Sequence, residues 1–253
     1  MTRLRAVGRS LLPIGLPILL LVGWEIGGRT LGNVYLPPLS SVLGTLREDW
    51  LFEHTLSDLL PSLQRFVIGY LAGSALGVVL GIAIGSSRRV AQYIGPTLEF
   101  LRALPAVAII PVAVLALGLG DSMRISVIMF GVLFPVLVNT TTGARDCRQE
   151  RIDVARMYGL SRLAIIRRVV LPSAFPLISA GLRVALPIAL IMMVVSELVG
   201  GQNGVGFYLL SSQSVFNIPA MFAALILLGV LGNLVNAGYA RLEDRWLKWA
   251  RNL

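Results

Sequence analysis

Between Arg65 and Arg88 the chain runs for 22 residues without a charge. As a helix that is long enough to cross a bilayer core of about 30 Å. Within the run, glycine recurs at every fourth position, Gly69, Gly73, Gly77, Gly81 and Gly85. At helical pitch these form one slowly drifting stripe without side chains, so a second helix can approach to backbone distance. The stripe is a packing feature, not a site, and it predicts a tightly packed bundle. Five further apolar stretches are also long enough to span, and the expected spans are 10–31, 66–87, 97–119, 124–143, 176–199 and 219–240. With 56% hydrophobic residues and its charges gathered between these stretches, the chain is expected to be an all-α polytopic membrane protein, one domain over 1–253.

The flanks give the orientation. Arg3, Arg5 and Arg9 precede the first apolar run, which continues past Trp24 without a small-x-small cleavage site. An uncleaved first membrane helix is expected. Residues 32–64 carry Pro37-Pro38, Glu48, Asp49, Glu53 and Asp58 among scattered apolar side chains. That segment is too charged to span and suits a helix lying on the outer interface. Pro105 and Pro111 should kink or break the third span, because each removes a backbone donor. The uncharged polar stretch 200–217 contains Gly204-Val205-Gly206, and 205–216 is expected to form a short re-entrant or interfacial helix. Sixteen Lys and Arg lie on the side holding both termini and the 144–173 loop, against four on the other. The positive-inside rule then puts both termini and that loop in the cytoplasm, and six spans satisfy the parity. The formal charge of +9 belongs to this membrane flank rather than to nucleic-acid binding.

The 144–173 loop holds an arginine-rich, amphipathic island from Asp153 to Pro172. Asp153 to Tyr158 is predicted to be a short helix stopped by Gly159, which takes the left-handed conformation without a Cβ clash. Ser161 is a good N-cap for a second short helix. Pro172 should end that helix near Leu171, since the residue before proline is biased toward extended geometry.

Asp153-Val154-Ala155-x-x-x-Gly159, followed after nine residues by Val169-x-Leu171-Pro172, resembles the E-A-A-x-x-x-G-x9-I-x-L-P signature. That signature belongs to the membrane-spanning permease subunits of bacterial binding-protein-dependent ABC importers. Asp153, Val154 and Val169 are mild departures from it. Leu36-Pro37-Pro38, Leu101 to Pro105, Pro111, Gly118 to Asp121 and Phe134-Pro135 resemble the nitrate/sulfonate/taurine/bicarbonate group within that family. The resemblance implies an inner-membrane importer fold with a cytoplasmic coupling-helix loop. Asp153, Val154, Ala155, Arg156, Gly159, Leu171 and Pro172 would belong to the ATPase-coupling segment. Ala155 would keep the docking face small, and Arg156 and Arg162 would pair with acids on the partner or stay solvated. The implied partners are ABC ATPase subunits, an extracytoplasmic substrate-binding protein and a second permease copy in a homodimer. The implied mechanism is alternating access for a small solute.

The residues themselves exclude several chemistries. A phosphate-binding P-loop needs a glycine-rich loop ending in lysine, and the one lysine, Lys248, has no such loop before it. The chain is therefore expected not to be an enzyme and to need no cofactor, with ATP and Mg bound by the partner. Cys147 is alone, so it forms no intrachain disulfide or cysteine metal cluster, and His54 is expected to be a surface histidine. Ionisable groups at membrane depth are candidates for the translocation path. Glu99 and Arg102 could pair on one helix face or sit at the interface, and Arg183 is expected to snorkel. Ser196-Glu197 abuts the polar turn, so Glu197 could face the path or tie down the 200–217 stretch. An ion-driven secondary transporter would show internal repeats and several midplane acids. A membrane protease would need a nucleophile motif and a membrane histidine. Neither pattern is present in the sequence.

Overall fold

The computed structural model describes residues 2–248, with side chains from residue 15 onward except those of residues 52 and 88. Among them the elements are all helical. They run α1 (Thr2–Thr30), α2 (Leu39–Glu48), α3 (Leu60–Gly85), α4 (Arg88–Ala103), α5 (Ile110–Leu117) and α6 (Asp121–Arg145). After these come α7 (Gln149–Met157), α8 (Arg162–Ile165), α9 (Leu171–Leu198), α10 (Val205–Ser214) and α11 (Ile218–Trp246).

The core is a three-helix sandwich with α6 in the middle. The glycine stripe of α3 lies on Ile128, Val132, Val136, Thr140 and Ala144 of α6, which are also spaced four apart. A Cβ at Gly73 would come within 2.6 Å of the Met129 carbonyl oxygen, and one at Gly81 within 2.6 Å of Thr140 Cβ. The other face of α6 meets α9, where Gly131 admits Met192 and Gly143 approaches the backbone of Ala174. Met123, Val127, Ile128, Val132 and Val136 of α6 form one buried cluster with Ala185, Leu186, Ala189 and Met193 of α9. Small residues at the contact permit this closeness, and dispersion between the facing helices holds it. A second cluster gathers α2, α10 and α11 through Val42, Trp50, Val205, Tyr208, Ala220 and Ala224.

Among the described residues, four helices are long and apolar enough to cross a membrane, spanning Thr55–Gly85, Asp121–Arg145, Arg162–Leu198 and Ile218–Trp246. A fifth crossing is available if the pair Arg89–Ala103 and Ala106–Leu117, bent by 88°, counts as one broken span. The sixth expected span, 10–31, falls on α1, whose side chains are described only from Gly15.

The third span is broken at Pro105, as expected, with Leu104 extended at φ −68°, ψ 128°, as the residue before a proline tends to be. Three boundaries differ from the sequence expectation, each for a local reason. The helix of the third span begins at Arg88 rather than at the expected 97, with Ser87 accepting from the Val90 amide. Pro111 kinks nothing, because it sits in the first turn of α5, where no amide donor is required. The helix expected to end near Leu171 instead runs on. A wider π turn over Ile166–Val170 joins α8 to α9, and Pro172 lies in the first turn of α9. The widened turn accommodates the proline ring and its missing donor without ending the rod. Finally, the second span begins at Leu60 after π turns over Asp49–Glu53 and Thr55–Leu59, and it takes the charged Arg65 inside the helix.

Candidate functional site

Two polar regions stand at opposite ends of α9. The near one is the α7–α8 loop. Gly159 follows α7 at φ +73° with its amide donating to the Arg156 carbonyl at 2.9 Å. The Leu160 amide donates to the Ala155 carbonyl at 3.1 Å, which completes a Schellman turn. No atom lies within 4 Å of where a Gly159 Cβ would be, so backbone conformation alone selects glycine there. Ser161 then caps α8 by accepting from the Ala164 amide at 3.3 Å. Ala155 is buried with Ala144, Cys147, Ile165 and Val170. Its smallness therefore serves the inward face of α7, and the docking-face role suggested for it does not follow.

The outward face has the make-up of a binding surface. Met157 is 86% exposed, Tyr158 82%, Leu163 61% and Val154 52%, with Arg156 and Arg162 exposed beside them. An apolar centre with an arginine rim is the usual anatomy of a protein–protein contact. Asp153 accepts from Arg156 at 3.0 Å and from Gln149 at 3.1 Å, all of them exposed. Such an ion pair contributes little to the fold and exchanges readily for a partner's acid. Behind α7 an open cavity of about 490 Å³ is lined by residues that include Glu150, Val154, Arg168 and Pro172. Leu171 is half-buried above it.

The far region is closed. Arg65 and Glu197 form an ion pair at 2.9 Å, with side chains 4% and 0% exposed. Arg65 also donates to Asp121 Oδ1 at 2.7 Å and to Asn203 Oδ1 at 2.5 Å. Ser62 donates to Glu197 at 2.7 Å. Three successive amides that open α10 are each taken by a side chain on another element. Gly204 donates to Asp58 at 2.8 Å, Val205 to Ser62 at 2.9 Å and Gly206 to Glu197 at 3.0 Å. Carboxylates at a helix N-terminus satisfy its orphan donors and complement its dipole. At Gly204, φ is +116° and a Cβ would stand 2.5 Å from the Glu197 carboxyl carbon, so both conformation and space select glycine. Asp58 is held in turn by His54 at 2.7 Å, and the Tyr208 hydroxyl donates to Asp49. Burial and that hydrogen bond push the Tyr208 phenol well above its ordinary range, so it stays a neutral donor.

Of the expected path residues, Glu197 ties down the 200–217 stretch through Gly206. Ser196 is fully buried and donates back to the Met193 carbonyl at 2.9 Å. Glu99 and Arg102 stand exposed on α4, with no ion pair between them among the described residues. Arg183 does not simply snorkel, since it donates to Glu243 of α11 at 3.1 Å. The sequence reading missed Arg65, Ser62 and Asp58. Ser62 and Arg65, three apart on one helix face, are the available signal, but from sequence alone the charge reads as a span boundary.

A helix sandwich joined to an exposed, Schellman-turned loop invites comparison with known membrane components. The family model described as binding-protein-dependent transport system inner membrane component matches residues 73–248. The chain belongs to that family. It is 33% identical over 236 residues to the aliphatic sulfonates transport permease protein SsuC of Bacillus subtilis (strain 168), covering 92% of this chain and 86% of that one. The nitrate import permease protein NrtB of Synechocystis sp. is 32% identical over 187 residues, or 74% of this chain and 68% of that one. The taurine transport system permease protein TauC of Escherichia coli (strain K12) is 29% identical, covering 92% and 87%. Among solved structures, an inward-facing MetNI methionine ABC transporter aligns with a TM-score of 0.60 at 19% identity, covering 73% of this chain and 92% of that one. That likeness shows a shared fold. This family member is thus a multi-pass inner-membrane permease subunit of an ABC importer for a small solute, in the nitrate/sulfonate/taurine group. Membership implies an ATPase and a binding protein as partners.

Proposed function

We propose that the α7–α8 loop is the surface on which the partner ATPase docks, and that its movement drives alternating access. The observation that carries this is the exposed set Val154, Met157, Tyr158 and Leu163, rimmed by Arg156 and Arg162, in an importer permease. In this reading Asp153, Val154, Arg156 and Gly159 set the docking face, while Leu171 and Pro172 begin the rod that carries its motion. The chain supplies no nucleotide chemistry: ATP and Mg are bound by the partner, and this subunit needs no cofactor of its own. The excess of Lys and Arg on the loop side supports a cytoplasmic loop with both termini in the cytoplasm. One coupling loop per chain supports a homodimer, with two copies enclosing the path and exposed Glu99 and Arg102 available to line it. The names of the relatives support a small oxyanion such as a sulfonate or nitrate as the solute, delivered by the binding protein.

The test is co-purification of a co-expressed ABC ATPase partner with this chain from detergent-solubilised membranes. Wild type should retain it, and Gly159→Asp should lose it while still inserting. Equal recovery with both forms would remove the docking assignment.

A further inference from the structure

The continuous helix from Arg162 to Leu198 has one end in the coupling loop and the other in the buried knot. At 1.5 Å per residue its 37 residues span roughly 55 Å, more than a bilayer core. The π turn, Pro172, Pro176 and Pro187 all lie within this helix without ending it. A displacement of the loop therefore reaches Glu197 along one unbroken helix.

Glu197 in turn holds α10. It accepts from the Gly206 amide, and Ser62 bridges it to the Val205 amide. Gly206 sits so close that an added Cβ would lie 2.5 Å from the Val194 carbonyl oxygen of α9. At the other end of α10, Phe216 has φ +55°, a left-handed conformation that costs a non-glycine residue about 1 kcal/mol. The Phe216 amide donates to Gln213 at 3.1 Å and the Asn217 amide to Ser212 at 2.9 Å, so the turn is again a Schellman turn. Its ring packs on little, with Phe216 70% and Val215 73% exposed. A strained backbone carrying an exposed apolar tip points to a role for that tip outside the protomer's own core.

Resting on the proposed docking of the ATPase at the near end, we propose that α10 is a finger driven by α9. The Arg65–Glu197–Ser62 knot is its pin, and Val215–Phe216 is the tip that moves when the coupling loop moves. Glu197 is then a positioning residue for transport. Its carboxylate transmits the motion of α9 to α10, while Arg65 and Ser62 fix the α3 side of the joint.

The experiment uses the chain reconstituted in lipid nanodiscs with its ATPase and binding protein, and with Cys147→Ser and Gln213→Cys so that a spin label reports on α10. Trapping the complex with a non-hydrolysable ATP analogue should change the label's mobility in the wild-type background. In Glu197→Gln, an isosteric change, the ATPase should still co-purify, but the label's response should vanish and solute uptake should fall at least tenfold. Ser62→Ala, which removes one bridge, should reduce both by a smaller factor, and it serves in place of Glu197→Gln if that variant fails to insert. A wild-type label indifferent to nucleotide would overturn the proposal, as would a Glu197→Gln protein that responds and transports like wild type. Loss of the ATPase from wild type itself would instead defeat the docking reading on which this one rests.

Discussion

Each end of α9 meets a short helix that closes in a Schellman turn, and the two ends differ in the exposure of their ion pairs. At the near end a Schellman turn places glycine at φ +73°, and the surface around it is open, with an ion pair between Arg156 and Asp153 whose side chains are 62% and 53% exposed. At the far end the ion pair's side chains are 4% and 0% exposed, and α10, which the pair holds by its N-terminus, closes at its opposite end in the same turn with Phe216 at φ +55°. A pair in high dielectric contributes little and can be exchanged, whereas a buried pair fails badly if one member is removed. The near end leaves its ion pair open to exchange, and the far end encloses its pair between α3, α9 and the start of α10.

The sharpest way to break this contrast is to truncate one acid at each end. Glu197→Ala leaves the buried Arg65 guanidinium without its enclosed partner and should destabilise the fold by about 3–5 kcal/mol. Asp153→Ala should cost less than about 1 kcal/mol. Apparent melting temperatures of the detergent-solubilised proteins check both, and equal shifts would erase the distinction. Next in size is the glycine stripe that joins the ends. A Cβ at Gly77 would meet Val136 Cβ at 2.9 Å, so Gly77→Ala should cost about 1–3 kcal/mol by overpacking. The same substitution at Gly229, where nothing lies within 4 Å, should be tolerated.

Smaller effects distinguish the two turns. Gly159→Ala should destabilise by about 1 kcal/mol, and Phe216→Gly should stabilise by about 0.5 kcal/mol, since each changes the residue at the left-handed position. The signs are opposite at equivalent positions, and calorimetry on paired variants reads them directly. Smallest for the fold is Arg156→Ala, with at most about 0.5 kcal/mol. Its effect should appear in ATPase affinity instead, measured by titration of the solubilised complex.

What the sequence made legible was local. Glycine at every fourth residue of 69–85 announces a close helix contact, and Pro105 announces a break in the third span. Gly159 and Ser161 mark a turn and a cap from their side chains alone. What stayed hidden depends on distant partners. Nothing local says that the stripe meets Ile128 through Ala144 of α6, because many apolar faces would fit it. Glu197 could not be assigned between path and loop, since Ser62 and Arg65 lie 135 and 132 residues away in sequence. Arg65 looked like the edge of a span because an arginine enters an apolar bundle only when other elements bring acids to it. Pro172 looked like an end because the π turn that accommodates it leaves no mark in the sequence.

On the proposed mechanism this chain couples a nucleotide-driven partner at its near end to solute handling at its far end. The direct measurement is ATP hydrolysis in nanodiscs holding this chain and its ATPase, with and without the solute-loaded binding protein. Wild type should be stimulated several-fold by the loaded binding protein, and a Met157→Ala/Tyr158→Ala variant should lose that stimulation. Hydrolysis that is the same in both variants, and indifferent to the binding protein, would contradict the account.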